Sequence, residues 1–511
     1  MGTPPATPLR ELFLRLSVRQ RAAVIAAVVT TAFLSSLDAM VMSTAMPRVV
    51  DGLGGAEALY PWVVTAYLLS STAVLPLYGR YSDLYGRRPA VLIGLAAFLL
   101  GSVLCALAGS MAQLIAYRTV QGLGAGALLA VSMSLIRELF SMEALKKLQM
   151  IMGSMMAASF IGGPFIGGAL TDLLGWRSVF WLNLVIGLPA LWILATLLPY
   201  YREPHAPRGR QDVAGVLLLI GCITVTLVGL TQKSRTGPGG DLTPWTDLGV
   251  AGCLVAGAAL LALFVVNERR AAIPLLPLQL FRIRNHSAIV AIAFFYSIAL
   301  FPAVIYLPLY FQQTRGMQAT TSGMMIFPMM IGLVGSNLAC APLIWKSGWG
   351  KRVLGIGAVL LGAGAALFGL VDGGTPLPLL FLFMLLLGLG MGPSMAAIGL
   401  MAQNSVPRSH IGTATSTTML SKAIGNAVGL AVGQSLLVWL LNSGGGDGGG
   451  DGGSAVGAQT SAIMTTIQIV GVVGAVCVLA GVALIKDLTI EKWNGPSAAP
   501  KTAVARPVEA D

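Results

Sequence analysis

Three charged side chains stand where charge is expensive, and they define the chemistry open to this chain. Asp38 is the only acid well inside any of the long apolar segments. An ionised carboxylate at such depth must face a wet cavity, pair with a base, or spend part of its time protonated. A carboxylate that is protonated facing one side and deprotonated facing the other is what proton coupling requires. One permanently tied to a cation and sealed from water would not serve. Asn or Ser would pack helices at less cost, which argues against a packing role alone. Arg118 cannot lose its proton. As a fixed cation it would polarise a nearby acid, or it would snorkel outward from the sixth or so residue of its segment. Lys422 lies well inside another apolar segment, and both coupling and snorkelling stay open for it.

The elements that must position these groups are membrane helices. Of 511 residues, 56% are hydrophobic and 10% charged, with a mean hydropathy of +0.80. A soluble domain carries about 25% charged residues, so this chain cannot cover a water-facing surface of its own size. Apolar runs long enough to cross a bilayer number fourteen, the first at 22–46 and the last at 460–485. With the N-terminus placed inside, 25 of the 32 Lys and Arg residues fall on the cytoplasmic side. The opposite side holds 5, and Arg118 and Lys422 lie within helices. That alternation predicts fourteen spans with both termini cytoplasmic, and it explains the net charge of +12 without any nucleic-acid partner.

An internal repeat orders the spans. Gly122-Leu-Gly-Ala-Gly126 recurs as Gly388-Leu-Gly-Met-Gly392, and Tyr85-Gly86-Arg87-Arg88 recurs as Trp349-Gly350-Lys351-Arg352. Each pair occupies the same topological place, so the chain reads as two six-helix bundles with two extra central helices. The expected division is a cytoplasmic segment 1–21, an N-terminal bundle 22–199, a two-helix insertion 200–285, and a C-terminal bundle 286–485. The last includes a Gly-rich external loop at 442–459 and is followed by a cytoplasmic tail, 486–511. That loop's likeness to calcium-binding repeats fails, because one copy without strand residues cannot form the stacked coil.

Enzyme chemistry finds little support. His205, His286 and His410 are scattered, the five cysteines lie in apolar segments, and no Gly-Lys-Ser/Thr phosphate loop is present. Neither a cofactor nor a metal is expected. The loop from Gly79 to Arg88 reads instead as a latch. Its glycines permit a tight turn, Asp83 can accept from a neighbouring basic helix end, and Arg87 and Arg88 would sit at lipid headgroups.

The spacing Gly79-x-x-x-Asp83-x-x-Gly86-Arg87-Arg88 resembles the signature loop of the major facilitator superfamily. Arg118-Thr-Val-Gln121-Gly122-Leu-Gly124-Ala-Gly126 is similar to that family's fourth-helix motif. Gly153 followed by Gly162-Gly163-Pro164-Phe-Ile-Gly167-Gly168 is similar to its antiporter motif. Leu37-Asp38-Ala-Met-Val41-Met-Ser-Thr-Ala45-Met-Pro47 resembles the signature of the fourteen-helix drug:proton antiporters, the EmrB/QacA subfamily. The resemblance implies an all-α integral membrane protein of the major facilitator fold, seated in the inner membrane. It implies a proton-coupled exporter of hydrophobic or amphipathic drug-like compounds, with the proton as coupling ion and Asp38 and Arg118 as coupling residues. The antiporter motif would be a seal against leakage while the halves rock. A dedicated exporter of one endogenous metabolite or antibiotic is the alternative. A periplasmic adaptor is known for some relatives, and nothing in these residues demands one.

The second half departs from the first, with Ser347 where Asp83 stands and Met384 where Arg118 stands. Coupling groups are therefore expected in the N-terminal half and substrate contacts mainly in the other. Met40, Gln121, Tyr296, Tyr306 and Lys422 are the candidates for the substrate cavity, since thioethers and aromatic faces suit varied greasy ligands.

Overall fold

A computed structural model of the chain describes residues 8–54, 59–74, 77–78, 81–82, 85–139, 142–201, 212–233, 243–271, 278–406, 411–444 and 452–486. Backbone groups in hydrocarbon have no water to bond, so a chain this apolar must satisfy them within helices. The described residues accordingly form helices joined by short turns: α1 Pro8–Leu14, α2 Val18–Leu53, α3 Tyr60–Ala73, α4 Arg87–Ala106, α5 Met111–Leu139, α6 Met142–Leu174, α7 Ser178–Leu197 and α8 Val213–Lys233. There follow α9 Leu248–Arg270, α10 Arg284–Leu309, α11 Ala319–Met325, α12 Phe327–Ser347, α13 Gly350–Leu367, α14 Leu377–Asn404, α15 Ile411–Gly444 and α16 Gly452–Leu484.

Local chemistry starts and stops several of these helices. Ser17 and Gln20 form a reciprocal capping box at the start of α2, at 3.0 and 3.3 Å. Gly54 ends that helix in the left-handed conformation, at φ 57°. Asp247 caps α9 by accepting from the backbone of Gly249 and Val250.

Eleven helices among the described residues are long and apolar enough to cross a membrane. Three further expected segments coincide with shorter apolar stretches, Trp62–Ala73, Ala158–Leu174 and Ala214–Thr226. Large apolar side chains face outward, among them Trp192, Val185, Val255 and Ile356, as a lipid-facing surface requires.

Helices α2 to α7 pack on one another, and α10 to α16 do the same. The α8–α9 pair lies apart, with α8 resting on α3 and α15. Only 17% of the apolar window of α9 is buried, against 67% for α2, so the pair sits at the periphery.

The glycine repeat shows its purpose in the packing. A Cβ on Gly122 or Gly126 would collide with α3, and one on Gly124 with α4. Their counterparts behave alike: Gly388 and Gly392 press on α12, and Gly390 presses on α13. The halves therefore share one close-packed three-helix device, α3–α5–α4 in the first and α12–α14–α13 in the second. Where the first half puts Gln121 against Gly101, the second puts Leu387 against Gly364. Met384, fully buried, stands in the place of Arg118.

The halves meet along three seams, α2 with α10, α3 with α15, and α6 with α11 and α12. Near the ends remote from the termini they are tied by hydrogen bonds. Asp172 of α6 accepts from the backbone of Ala319 and Thr320, at 3.3 and 2.7 Å, and from the Thr320 hydroxyl at 2.6 Å. Gln312, in a π-helical turn that continues α10, donates to the Thr44 carbonyl of α2 at 3.1 Å.

Candidate functional site

Asp38 and Arg118 are brought together. Arg118 Nη1 donates to Asp38 Oδ2 at 2.6 Å, and both side chains are completely enclosed. Rather than snorkelling outward, the guanidinium spans from α5 to α2. Its Nη1 also donates to Gln121 Oε1 at 2.7 Å, and its Nε to the Val63 carbonyl at 3.3 Å. The Tyr67 ring covers its face at 4.2 Å. Arg118 Nη2 makes no hydrogen bond to the protein.

The other carboxylate oxygen is held by amides. Asp38 Oδ1 accepts from Gln121 Nε2 at 3.0 Å and from Asn183 Nδ2 at 2.6 Å. Both amides also donate to Ser102 Oγ, which in turn donates to the Phe180 carbonyl. Tyr67 donates to the Ser35 carbonyl at 2.9 Å. One buried network thus joins α2, α3, α4, α5 and α7. An ion pair so enclosed holds only because its remaining hydrogen-bonding capacity is nearly filled.

Asn183, Ser102 and Tyr67 were not singled out by sequence reasoning. Their signal is faint: each is a single polar residue in an apolar helix, with no motif around it.

The remaining candidates fall into separate places. Gly163 packs on α2, where a Cβ would come within 2.6 Å of the Met40 Cβ, and Gly167 packs against Val41 and Thr44. Thr44 Oγ1 donates to the Pro164 carbonyl at 3.0 Å. Gly168 faces Ala319 and Thr320 across the seam, and the Pro164 carbonyl faces Gly323. The α6 motif is therefore a slim wedge between α2 of its own half and α11 of the other. A Cβ on Gly162 would meet the Ile166 side chain of its own helix at an ordinary 3.8 Å. Gly153 lies in α6, but its surroundings lie outside the described residues.

Of the latch, Gly79 and Asp83 lie outside the described residues. Gly86 adopts φ +97°, and a Cβ there would come within 2.5 Å of the Tyr201 carbonyl, so only glycine fits. Arg87 donates to Ser82 Oγ, and Arg88 to the Ala195 carbonyl of α7. Both arginines are half-buried. Each is engaged by its own half.

The substrate candidates do not share one cavity. Gln121 belongs to the Asp38 network, and Met40 is packed against Gly163. Tyr296 and Lys422 face each other, the ammonium 5.9 Å from the ring centroid. Tyr306 is buried elsewhere on α10, donating to the Leu430 carbonyl and Gln434. A small cleft opens at the face remote from the termini, lined by Asp51, Gln313, Gln434, Gln459 and apolar neighbours.

Comparison with known proteins places this architecture. The chain is 31% identical over 413 residues to the multidrug transporter protein MdtP of Bacillus subtilis, covering 80% of this chain and 73% of that one. It is 32% identical over 302 residues to multidrug resistance protein 3 of the same organism, covering 59% and 57%. Efflux pump FUS6 of Gibberella moniliformis is 33% identical over 352 residues, covering 68% and 61%. The chain thus spans less than two thirds of the latter two. Among solved structures, a bacterial homologue of the lysosomal transporter Spinster, inward-facing and unoccupied, superposes with TM-score 0.64 at 13% identity. That match covers 94% of this chain and all of the other. A D-xylose-proton symporter gives 0.60 at 15% identity, covering 92% and 99%. The model of the Major Facilitator Superfamily matches residues 28–430. The chain therefore belongs to the major facilitator superfamily, and it is a multi-pass membrane transporter rather than an enzyme.

Proposed function

We propose that the protein is a proton-coupled exporter of hydrophobic drug-like compounds, working by alternating access as a fourteen-span member of the EmrB/QacA drug:proton antiporters. Both termini lie on the cytoplasmic side of the inner membrane, and the bundles 22–199 and 286–485 rock about the seams. Similarity to multidrug and efflux transporters supports the export of small drug-like compounds. The observation that carries the coupling is the Asp38–Arg118 pair with its two amide donors.

The pair supplies a charge switch. With Asp38 ionised, three side chains on two helices donate to it. Protonation removes the charge that Arg118 neutralises, and the hold of Gln121 and Asn183 on Oδ1 weakens. Arg118 stays cationic and seeks another acceptor, for which Nη2 is already free of protein partners. The first half then repacks, and the seams at α2–α10 and α6–α11 respond.

The enclosed carboxylate sets a strict condition. In this conformation Asp38 is shielded from water, so coupling requires a second conformation in which it is hydrated. A pair that never opened would carry no proton.

The test is resistance. Cells carrying the gene should survive several chemically unrelated toxic compounds better than cells lacking it, and a protonophore should abolish the difference. Resistance confined to one compound would favour the dedicated exporter. No resistance to any would remove the export reading.

A further inference from the structure

We propose that Lys422 and Tyr296 form a recognition site for the anionic group of an amphipathic organic substrate. The site rests on the exporter reading and names a substrate class for it.

Lys422 lies in α15, eleven residues past its start, and is half-buried. Among the described residues no carboxylate pairs with it; the ion pair within the described spans is Asp38–Arg118, which is neutral in itself. Tyr296 cannot take the missing role. Its hydroxyl is engaged with the Met391 carbonyl at 2.9 Å, so it offers the ammonium only a ring face. A ring quadrupole attracts a cation far less than an anion does at low dielectric.

The helices around the pair are fixed. Ser421 Oγ donates to the Val290 carbonyl at 2.7 Å, and a Cβ on Gly425 would come within 2.9 Å of the Ser297 Cβ. The ammonium is thus held on a rigid α10–α15 wall. These are also two of the helices through which the second half meets the first, α10 at α2 and α15 at α3. Tyr296 is buried and Lys422 half-buried while the halves are packed. It is when the halves part along these seams that a molecule between them meets one uncompensated cation beside an aromatic face. A carboxylate on an apolar ring system satisfies both: the charge pairs with Lys422 and the ring lies on Tyr296. A cationic substrate would be repelled from the same wall.

The experiment measures binding to the full chain in phosphatidylcholine nanodiscs, using 1-naphthoate, its neutral primary amide, and ethidium. Lys422→Gln should weaken naphthoate binding by about tenfold or more and leave the amide unchanged, while Lys422→Arg retains naphthoate. Unchanged naphthoate binding in Lys422→Gln would overturn the site, and so would an equal loss of the amide. Abolition of naphthoate binding by added phosphatidylglycerol would also overturn it, by assigning the cation to a lipid headgroup. Should Lys422→Gln not fold, the wild type decides, by binding naphthoate more tightly than the amide or not. Wild type that binds ethidium but not naphthoate refutes the anion site alone, and wild type that binds no probe refutes the exporter reading with it.

Discussion

Asp38 accepts from three side chains, and their chemistries differ when the carboxylate changes charge. Arg118 keeps its charge throughout, Gln121 has its own oxygen turned to Arg118, and Asn183 divides its amide between Asp38 and Ser102. Asn183 is thus the neutral donor whose loss leaves the ion pair itself intact. Asn183→Leu should lower gradient-driven transport by about tenfold, the worth of one charge-assisted hydrogen bond, with the protein still folded and membrane-inserted. Transport at the wild-type rate in that variant would show the amide to be mere packing. The sequence makes Asp38, Arg118 and Gln121 visible, because a charge in hydrocarbon is conspicuous and the motif places all three. It leaves Asn183 and Ser102 hidden, because their partners lie on other helices and helix rotation is set by packing. Lys422 and Tyr296 are legible singly for the same reason, but not as a pair.

Helix α6 shows how an element can serve two partners. Its small residues turn Gly163 and Gly167 to α2 and Gly168 to α11, so the same stripe touches both halves. Small-xxx-small spacing announces a close approach in sequence; which helix approaches is decided by the fold. Asp172 completes the contact from one turn beyond that stripe. Sequence reasoning passed over it, since it falls just past the end of an expected span, where an acid is unremarkable. Its carboxylate accepts three hydrogen bonds across the seam, and these must break whenever the face remote from the termini opens. Charge-assisted bonds contribute about 1.5–3 kcal/mol each, less where water competes. Asp172→Ala should therefore shift the population toward opening at that face. Spin labels at Leu174 and Gln318, both at exposed positions, should report longer distances in the variant. An unchanged distance distribution would mean that the seam is held by its apolar contacts alone.

At the scale of the whole molecule, duplication and asymmetry act together. The glycine device is repeated in both halves, so the repeat was legible from two short strings of residues. The polar network is confined to one half, with Met384 and Leu387 filling the matching places in the other. On the proposed exporter reading, that asymmetry would place the proton in the first half and leave the second for substrate. The distribution of Lys and Arg predicts that the loop at 442–459 and the tail at 486–511 lie on opposite sides of the membrane. Reporter fusions in the two segments should show opposite activities, and equal activities would refute the fourteen-span topology. The central claim is that Asp38 trades protons as the halves rock. Flux in proteoliposomes under an imposed pH gradient, with wild type beside Asp38→Asn, tests it most directly. The account predicts that the gradient accelerates substrate flux in the wild type, that collapsing it removes the acceleration, and that Asp38→Asn does not respond to it. Full gradient-driven flux in Asp38→Asn would contradict the account.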